Sequence, residues 1–457
     1  MIIYSAAHGG YAGEAVPLGG GAAVFEHLVA EWNLAHPFPF RVLTPAILGG
    51  SAPSGRDLAG FGERAYAQFS HDFERASTEE ILRHDPGDTV VLSNDVSEGP
   101  DFALLAGRGY RVFTIYHVDV VAYVAAIYGR GLIRPETTVR WHGRVKWLLP
   151  RIARLVWEKQ EASVRHSRGL IVPSEGMREV LLRCYPDCDA AKIHVLPWGS
   201  WETDVSGSPE PLREEFAIPP GAHVLLTLSR ISPEKGQDLL LQALLEWEWR
   251  ADFPERPLWL FICGDAAFMQ GQRFLDKLRR MAARLRRTRV VFPGYVTGER
   301  KASFLALADV YVFPSRHESY GLTLLEALAA GLPAVCLDHY GARGILREEF
   351  GELVTPNDLR PAIARLLADD ARRRRNGPSR PCVRSKRKIL RPRRHPGPAV
   401  EELEVCRAGA PARAGPPGPA LQGLELLLKR QVRRAVQARL IAQRGPLDTR
   451  GSVAIGE

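Results

Sequence analysis

Short apolar runs, each followed by a glycine-bearing turn and a longer amphipathic stretch, recur along most of the chain. Runs at residues 1–7, 40–43, 89–92, 111–115, 169–173 and 193–197 read as strands, with enough chain between most of them for a helix. A second series at 224–229, 258–263, 290–292, 310–314, 335–337 and 353–354 repeats the order strand, glycine, helix. That alternation predicts two doubly wound α/β domains with parallel sheets covered on both faces. The stretch 206–211, SGSPEP, reads as a hinge between them. The expected organisation is therefore a first domain at 1–203, a second at 204–370, and a remainder at 371–457.

The richest local pattern is 309–333, DVYVFPSRHESYGLTLLEALAAGLP. It predicts a strand over 310–314, a polar turn over 315–320, a helix over 321–330 and a stop at Gly331, with Pro333 beyond it. Glu318 falls in the turn and Glu326 in the second helical turn, so both acids can face a ligand at the helix start. Between them, Ser319, Tyr320, Gly321, Leu322 and Thr323 present backbone amides where a new helix leaves N–H groups unpaired and its dipole positive. An anion flanked by two carboxylates suits this place, as in a phosphorylated sugar.

Other candidate chemistry also sits after predicted strands, where open α/β sheets bind ligands. Arg230 and Lys235 follow the strand at 224–229 and can reach one point in front of the sheet, as two cations aimed at a diphosphate would. Two solvated surface cations are the alternative. Gly264 ends the strand at 258–263. Gly20 and Gly21, in LGGGAA, open a helix carrying Val24, Leu28 and Val29 on one face. Glycine there either lets a phosphate or sugar approach closely or simply makes a turn. His117 follows the strand at 111–115, as a ligand contact or a core histidine.

Composition changes this picture in two places. The net charge of +9 is split: residues 371–457 hold 21 Lys and Arg against 6 Asp and Glu, which leaves the rest of the chain at −6. The basic pI thus belongs to the tail, whose residues 371–420 are proline-rich and without apolar period, and so expected to be disordered. Residues 421–443 have the pattern of one amphipathic helix. The six cysteines are scattered without a second matching pair, which predicts free thiols and no zinc. Asp187 and Asp189 have a D-x-D form, but with no acidic neighbour they read as a polar loop. No run is long enough to span a membrane and the N-terminus lacks a basic leader, so a cytoplasmic protein is expected. Residues 140–157, RWHGRVKWLLPRIARLVW, interleave basic and aromatic residues. They could touch an anionic membrane at its inner face, or their tryptophans could pack inside.

The motifs LSRISPEKG, FICGD, VVFPGYV, ADVYVFPSRHESYGLTLLEALAAGLPAV and GELVTPND, in this order, resemble the retaining glycosyltransferases of family 4, which have the GT-B fold. The resemblance is strongest over 224–358 and runs back to Leu18. It implies two Rossmann-like domains facing a cleft, with a nucleotide diphosphate sugar as donor and an unidentified acceptor. It also implies a metal-independent, cofactor-free transfer of a hexose-type sugar with retention. Glu326 would hold the ribose hydroxyls, Glu318 and His117 the donor sugar, Arg230 and Lys235 the diphosphate, and Gly20 and Gly21 the phosphates or acceptor. The pattern departs after Gly377, where an aromatic helix that braces the first domain is expected and arginine, proline and glycine follow instead. A reading-frame shift near codon 376 or a lineage-specific extension would each produce this. An inactive scaffold with a membrane- or nucleic-acid-binding tail is the alternative function, nucleic acid being the less expected partner. A sugar epimerase on the same fold is a weaker enzyme alternative.

Overall fold

The computed structural model describes residues 1–11, 19–35, 39–118, 137, 139, 151–198, 206–266 and 271–369. The tail at 371–457, its amphipathic stretch, Trp141, Trp147 and the expected boundary at 203/204 lie outside these residues.

Two six-stranded parallel sheets form. The first consists of β1 (Ile2–Ser5), β2 (Phe40–Leu43), β3 (Val90–Ser93), β4 (Arg111–Ile115), β5 (Gly169–Val172) and β6 (Ile193–Val195), in the order β2-β1-β3-β4-β5-β6. The second consists of β7 (His223–Leu228), β8 (Leu258–Cys263), β9 (Thr288–Gly294), β10 (Val310–Phe313), β11 (Ala334–Leu337) and β12 (Gly351–Val354), in the order β12-β11-β10-β7-β8-β9. Each sheet reverses direction beside its first strand. In the first the reversal falls between β1 and β3, and in the second between β7 and β10. Chains leaving neighbouring strands there diverge to opposite faces and open a crevice at the carboxyl ends.

The strands read as near-continuous apolar runs because both faces are covered: every residue of β7, β8 and β10 is buried. The period of two divides them between two layers. Leu225, Val310 and Val312 pack with Leu240, Leu244, Trp247 and Ile363, while Leu226, Tyr311 and Phe313 pack with Phe304, Leu324 and Ala327 on the other face. In the first domain, the helix Gly20–Ala35 buries Val24, Phe25, Leu28 and Trp32 against β1 and β3, with Val29 at the edge of that cluster.

The second part of the stretch 140–157 lies on a helix that runs Arg151–His166. Trp157 lies on that helix and is only 5% exposed, so this tryptophan packs inside, the second of the two readings of the stretch. The stretch 206–211, read as a hinge, instead packs on the second domain: a Cβ on Gly207 would lie 2.1 Å from the Ser303 amide nitrogen, and the helix Glu210–Phe216 begins within it.

Candidate active site

A cleft of about 270 Å³ lies between the two sheets' carboxyl ends. It is lined by Gly20, Gly21 and His117 from the first domain, and by Arg230, Lys235, Gly264, Glu318, Ser319, Tyr320, Gly321, Leu322, Thr323 and Glu326 from the second. Every residue singled out in the sequence as a candidate therefore falls on one surface.

Backbone geometry brings Lys235 to Glu318 across 83 positions of sequence. After β7 the chain makes a short 3-10 turn, Pro233–Lys235, ending in Gly236 at φ +66°, where a Cβ would sit 2.0 Å from the Pro314 carbonyl oxygen. Only glycine allows the β7 loop to press this closely on the β10 loop. The Arg316 amide then donates to the Glu234 carbonyl at 2.8 Å, and the Arg316 guanidinium to the Pro233 carbonyl at 2.7 Å. Lys235 Nζ donates to Glu318 Oε2 in the resulting corner. Burial alone would raise the Glu318 pKa, but the charge and hydrogen bond of Lys235, with His339 and Arg230 nearby, hold it below the usual carboxylate value. Arg230 lies on the same side, with Nη2 3.8 Å from Glu234 Oε1.

The helix Leu322–Ala329 begins one residue later than expected, because Gly321 is its N-cap in the left-handed conformation at φ +97°. Leu324 and Leu325 donate to the Gly321 carbonyl, so the amides at the open end belong to Leu322 and Thr323. Glu326, one turn in, is paired with Lys301 on the helix Gly298–Leu307, at 3.2 Å. Each of the two carboxylates at the helix start thus carries its own lysine. Lys301 was missed in the sequence because a single lysine on an amphipathic helix carries no motif.

Gly264 has φ +146°, and a Cβ there would lie 1.8 Å from the Ser229 carbonyl oxygen, so the β7 and β8 loops meet backbone to backbone. Gly20 and Gly21 fall in the first turn of their helix. A Cβ on Gly20 would meet Leu322 Cδ1, and one on Gly21 would meet His117 Cδ2, each at 3.2 Å. The glycine turn is thus the face on which the other domain and the histidine close in.

The side chains of Ser319 and Tyr320 tie the domains together. Ser319 Oγ donates to the His117 carbonyl, Tyr320 OH donates to the Trp198 carbonyl at 2.7 Å, and Ser174 Oγ donates to the Ser319 carbonyl at 3.1 Å. His117 is pushed down to about 4 by burial, with His8 adding to that effect and Asp95 opposing it, so the imidazole is neutral near pH 7. His317 and His339, behind Glu318, are likewise lowered to about 4 by burial.

A polar group at the β1/β3 reversal was also missed. Asp95 accepts from the Ala7 amide at 2.8 Å and pairs with His8 Nδ1 at 3.0 Å, and Tyr66 OH donates to Glu98. Burial works against a charged His8, but the Asp95 charge and hydrogen bond outweigh it and raise its pKa to about 9. Although His8, Asp95 and Glu98 lie close together, the first two form an internal ion pair and Glu98 is held with its pKa raised, chiefly by burial. The usable signal was positional: both HGG and the Asn94-Asp95 pair follow strands that flank a reversal of strand order. Asp187 and Asp189 stay apart from the cleft residues, and Asp189 caps a 3-10 turn by accepting from the Ala191 amide at 2.9 Å. Cys184, Cys188, Cys263 and Cys336 are free thiols among the described residues, and no helix there is long and apolar enough to cross a membrane.

Comparison with known proteins bears on the whole arrangement. Residues 209–379 match the family described as glycosyl transferases group 1. D-inositol 3-phosphate glycosyltransferase of Xylanimonas cellulosilytica is 31% identical over 228 residues, 47% of this chain and 52% of that protein. The chain spans about half the length of the curated relatives it matches first. Sucrose-phosphate synthase from Thermosynechococcus elongatus superposes with a TM-score of 0.59 at 21% identity, over 82% of this chain and 91% of that one. Anabaena HepE, solved in complex with UDP and glucose, gives 0.53 at 16% identity, over 81% and 90%. At these identities the superpositions speak for the fold. With two Rossmann-like domains facing one cleft this chain has the GT-B fold, and its residues 209–379 carry the match to the group 1 glycosyl transferases.

Proposed function

We propose that the protein is a retaining glycosyltransferase that moves a hexose-type sugar from a nucleotide diphosphate sugar to an acceptor hydroxyl, without a metal. The observation that carries this reading is the meeting of Arg230, Lys235, Glu318 and Glu326 in one interdomain cleft at the β7/β10 reversal. Two cations at the ends of adjacent loops suit a diphosphate, and they supply the positive charge that a metal provides in other sugar transferases. When the bond between the anomeric carbon and the diphosphate oxygen breaks, its electron pair goes to that oxygen, and Arg230 and Lys235 stabilise the charge. The amides of Leu322 and Thr323 add the positive end of a helix dipole beside them.

In this reading Glu326 accepts hydrogen bonds from the ribose hydroxyls, and Lys301 holds one of its oxygens in place. Glu318 and His117 face the sugar, while Gly20 and Gly21 leave room for phosphates or acceptor. The acceptor hydroxyl attacks from the face the diphosphate leaves and passes its proton to the departing diphosphate oxygen, which retains the anomeric configuration. The bonds from Ser319 and Tyr320 to the first domain would keep the cleft closed and exclude water, which would otherwise take the sugar. The names of the relatives are consistent with this: one is an inositol phosphate glycosyltransferase and another was solved with UDP and glucose.

Thermal-shift measurement against UDP-, GDP- and ADP-glucose, followed by NMR of the anomeric configuration of the product with and without EDTA, tests the reading. Stabilisation by one donor and an α-linked product from an α-linked donor, insensitive to EDTA, are expected. An inverted product or loss of turnover in EDTA overturns the mechanism. Donor binding with no transfer or hydrolysis would favour a non-catalytic scaffold.

A further inference from the structure

Asn94 follows β3 and is fully buried at the point where β1, the glycine turn and the loop after β4 converge. Its side chain reaches all three. Oδ1 receives Tyr4 OH at 2.6 Å and lies 2.9 Å from His117 Nε2, while Nδ2 donates, at 3.5 Å each, to the Gly21 carbonyl and to Asp95 Oδ1. This set of neighbours fixes the amide orientation. Turning the amide over would aim its oxygen at a carboxylate and a carbonyl, and its NH₂ at a hydroxyl and an imidazole that already sit at bonding distance. Burial raises the Tyr4 pKa well above its ordinary value, so the phenol keeps the proton it donates.

An amide oxygen can only accept. His117 Nε2 must therefore carry a hydrogen. Since the ring is neutral near pH 7, its other nitrogen must be a bare lone pair. Among the described residues His117 Nδ1 has no hydrogen-bond partner, and the residue lines the cleft.

We infer that Asn94 is a positioning residue that holds His117 in its Nε2–H tautomer, so that Nδ1 accepts a hydrogen bond from a hydroxyl of the bound sugar. This rests on the reading that His117 faces the donor sugar, and it adds a chemical restriction to it. A neutral imidazole presenting a lone pair fits a hydroxyl. It repels a phosphate oxygen or a carboxylate at the same point, both of which can only accept. The histidine is thereby a selector for a hydroxylated sugar, and the anionic part of the donor is left to Arg230 and Lys235. The same amide ties the glycine turn to the histidine through the Gly21 carbonyl, so the two first-domain parts of the cleft move as one.

The experiment uses full-length protein labelled with ¹⁵N in histidine. Long-range proton–nitrogen correlation at pH 7.5 reports each ring's tautomer, and His117→Asn assigns the resonance. The wild type is expected to show His117 protonated at Nε2 only. A ring protonated at Nδ1, or at both nitrogens, overturns the inference without any need for an Asn94 variant to fold. In Asn94→Ala the ring is expected to lose its single tautomer, and an unchanged tautomer would place its control elsewhere. The donor giving the largest thermal shift among UDP-, GDP- and ADP-glucose is then added and compared with its sugar-free diphosphate. The Nδ1 resonance should move with the sugar nucleotide and not with the diphosphate alone. A resonance unmoved by a donor that binds removes the sugar contact. Asn94→Ala should lower kcat about tenfold, with the Kd of the diphosphate within about twofold. If no nucleotide sugar binds at all, the glycosyltransferase reading and the sugar contact fall together. The tautomer result stands by itself.

Discussion

The Lys301 ammonium lies 3.2 Å from the Glu326 carboxylate, joining the helix before β10 to the helix after it on the floor of the cleft. If Glu326 holds the ribose, Lys301 sets the direction in which its carboxylate presents the remaining lone pairs. Glu326→Ala is expected to weaken nucleoside diphosphate binding by about 10- to 100-fold, and Lys301→Met by about tenfold. Calorimetric titration checks both, and an unchanged Kd in the two variants would take the ribose away from this pair.

Lys235 and Glu318 form the other buried pair, and here stability and turnover should separate. Lys235→Ala leaves a carboxylate in a corner where side-chain exposure is 17%, so about 3 kcal/mol of stability is expected to go with it. Turnover should fall about 100-fold through loss of charge opposite the diphosphate. Adding Glu318→Gln should restore much of the stability and none of the turnover. Denaturant melts and initial rates on the single and double variants decide, and recovery of the rate in the double variant would contradict the assignment of Lys235.

Histidine titration should make stability fall on both sides of neutrality. The folded pKa of His8, about 9, lies above its ordinary value of 6.5, so its contribution is complete below pH 6.5 and is lost as pH rises towards 9. That contribution amounts to about 3 kcal/mol. His117, His317 and His339 are lowered to about 4, so their neutral forms cost stability as pH falls from 6.5 towards 4. Unfolding free energies measured at pH 4.5, 6.5 and 9 should peak in the middle. His8→Gln should flatten the alkaline side only, and an alkaline loss that persists in this variant would place its cause elsewhere.

Glycines that line the cleft should divide into two kinds. Gly264→Ala puts a methyl 1.8 Å from a backbone oxygen that cannot move without breaking the β7/β8 loops, and a cost of about 3 kcal/mol or more is expected. Gly20→Ala meets only the end of Leu322 at 3.2 Å, so the protein should fold with nearly wild-type stability and an altered cleft. Thermal melts of the two variants test this. Equal stability would mean that the two glycines answer to the same constraint.

Much of this was legible in the chain itself, because its signals are local. Short apolar runs followed by glycine and an amphipathic stretch dictate strand, turn and helix, and their repetition dictates two doubly wound domains. Glu318, Glu326, Arg230, Lys235 and His117 could be picked out because each stands just after a strand or at a helix start. The sheet order decided what those positions meant. β7 lies beside β10, and only that adjacency, sealed by Gly236 against Pro314, makes Lys235 the partner of Glu318. Lys301 gave no such sign, and Asn94 and the His8–Asp95 pair, although they too follow strands, carry no motif. Their chemistry comes from partners distant in sequence, and a hydrogen bond or ion pair depends on separation in space, which the spacing of residues along the chain does not encode.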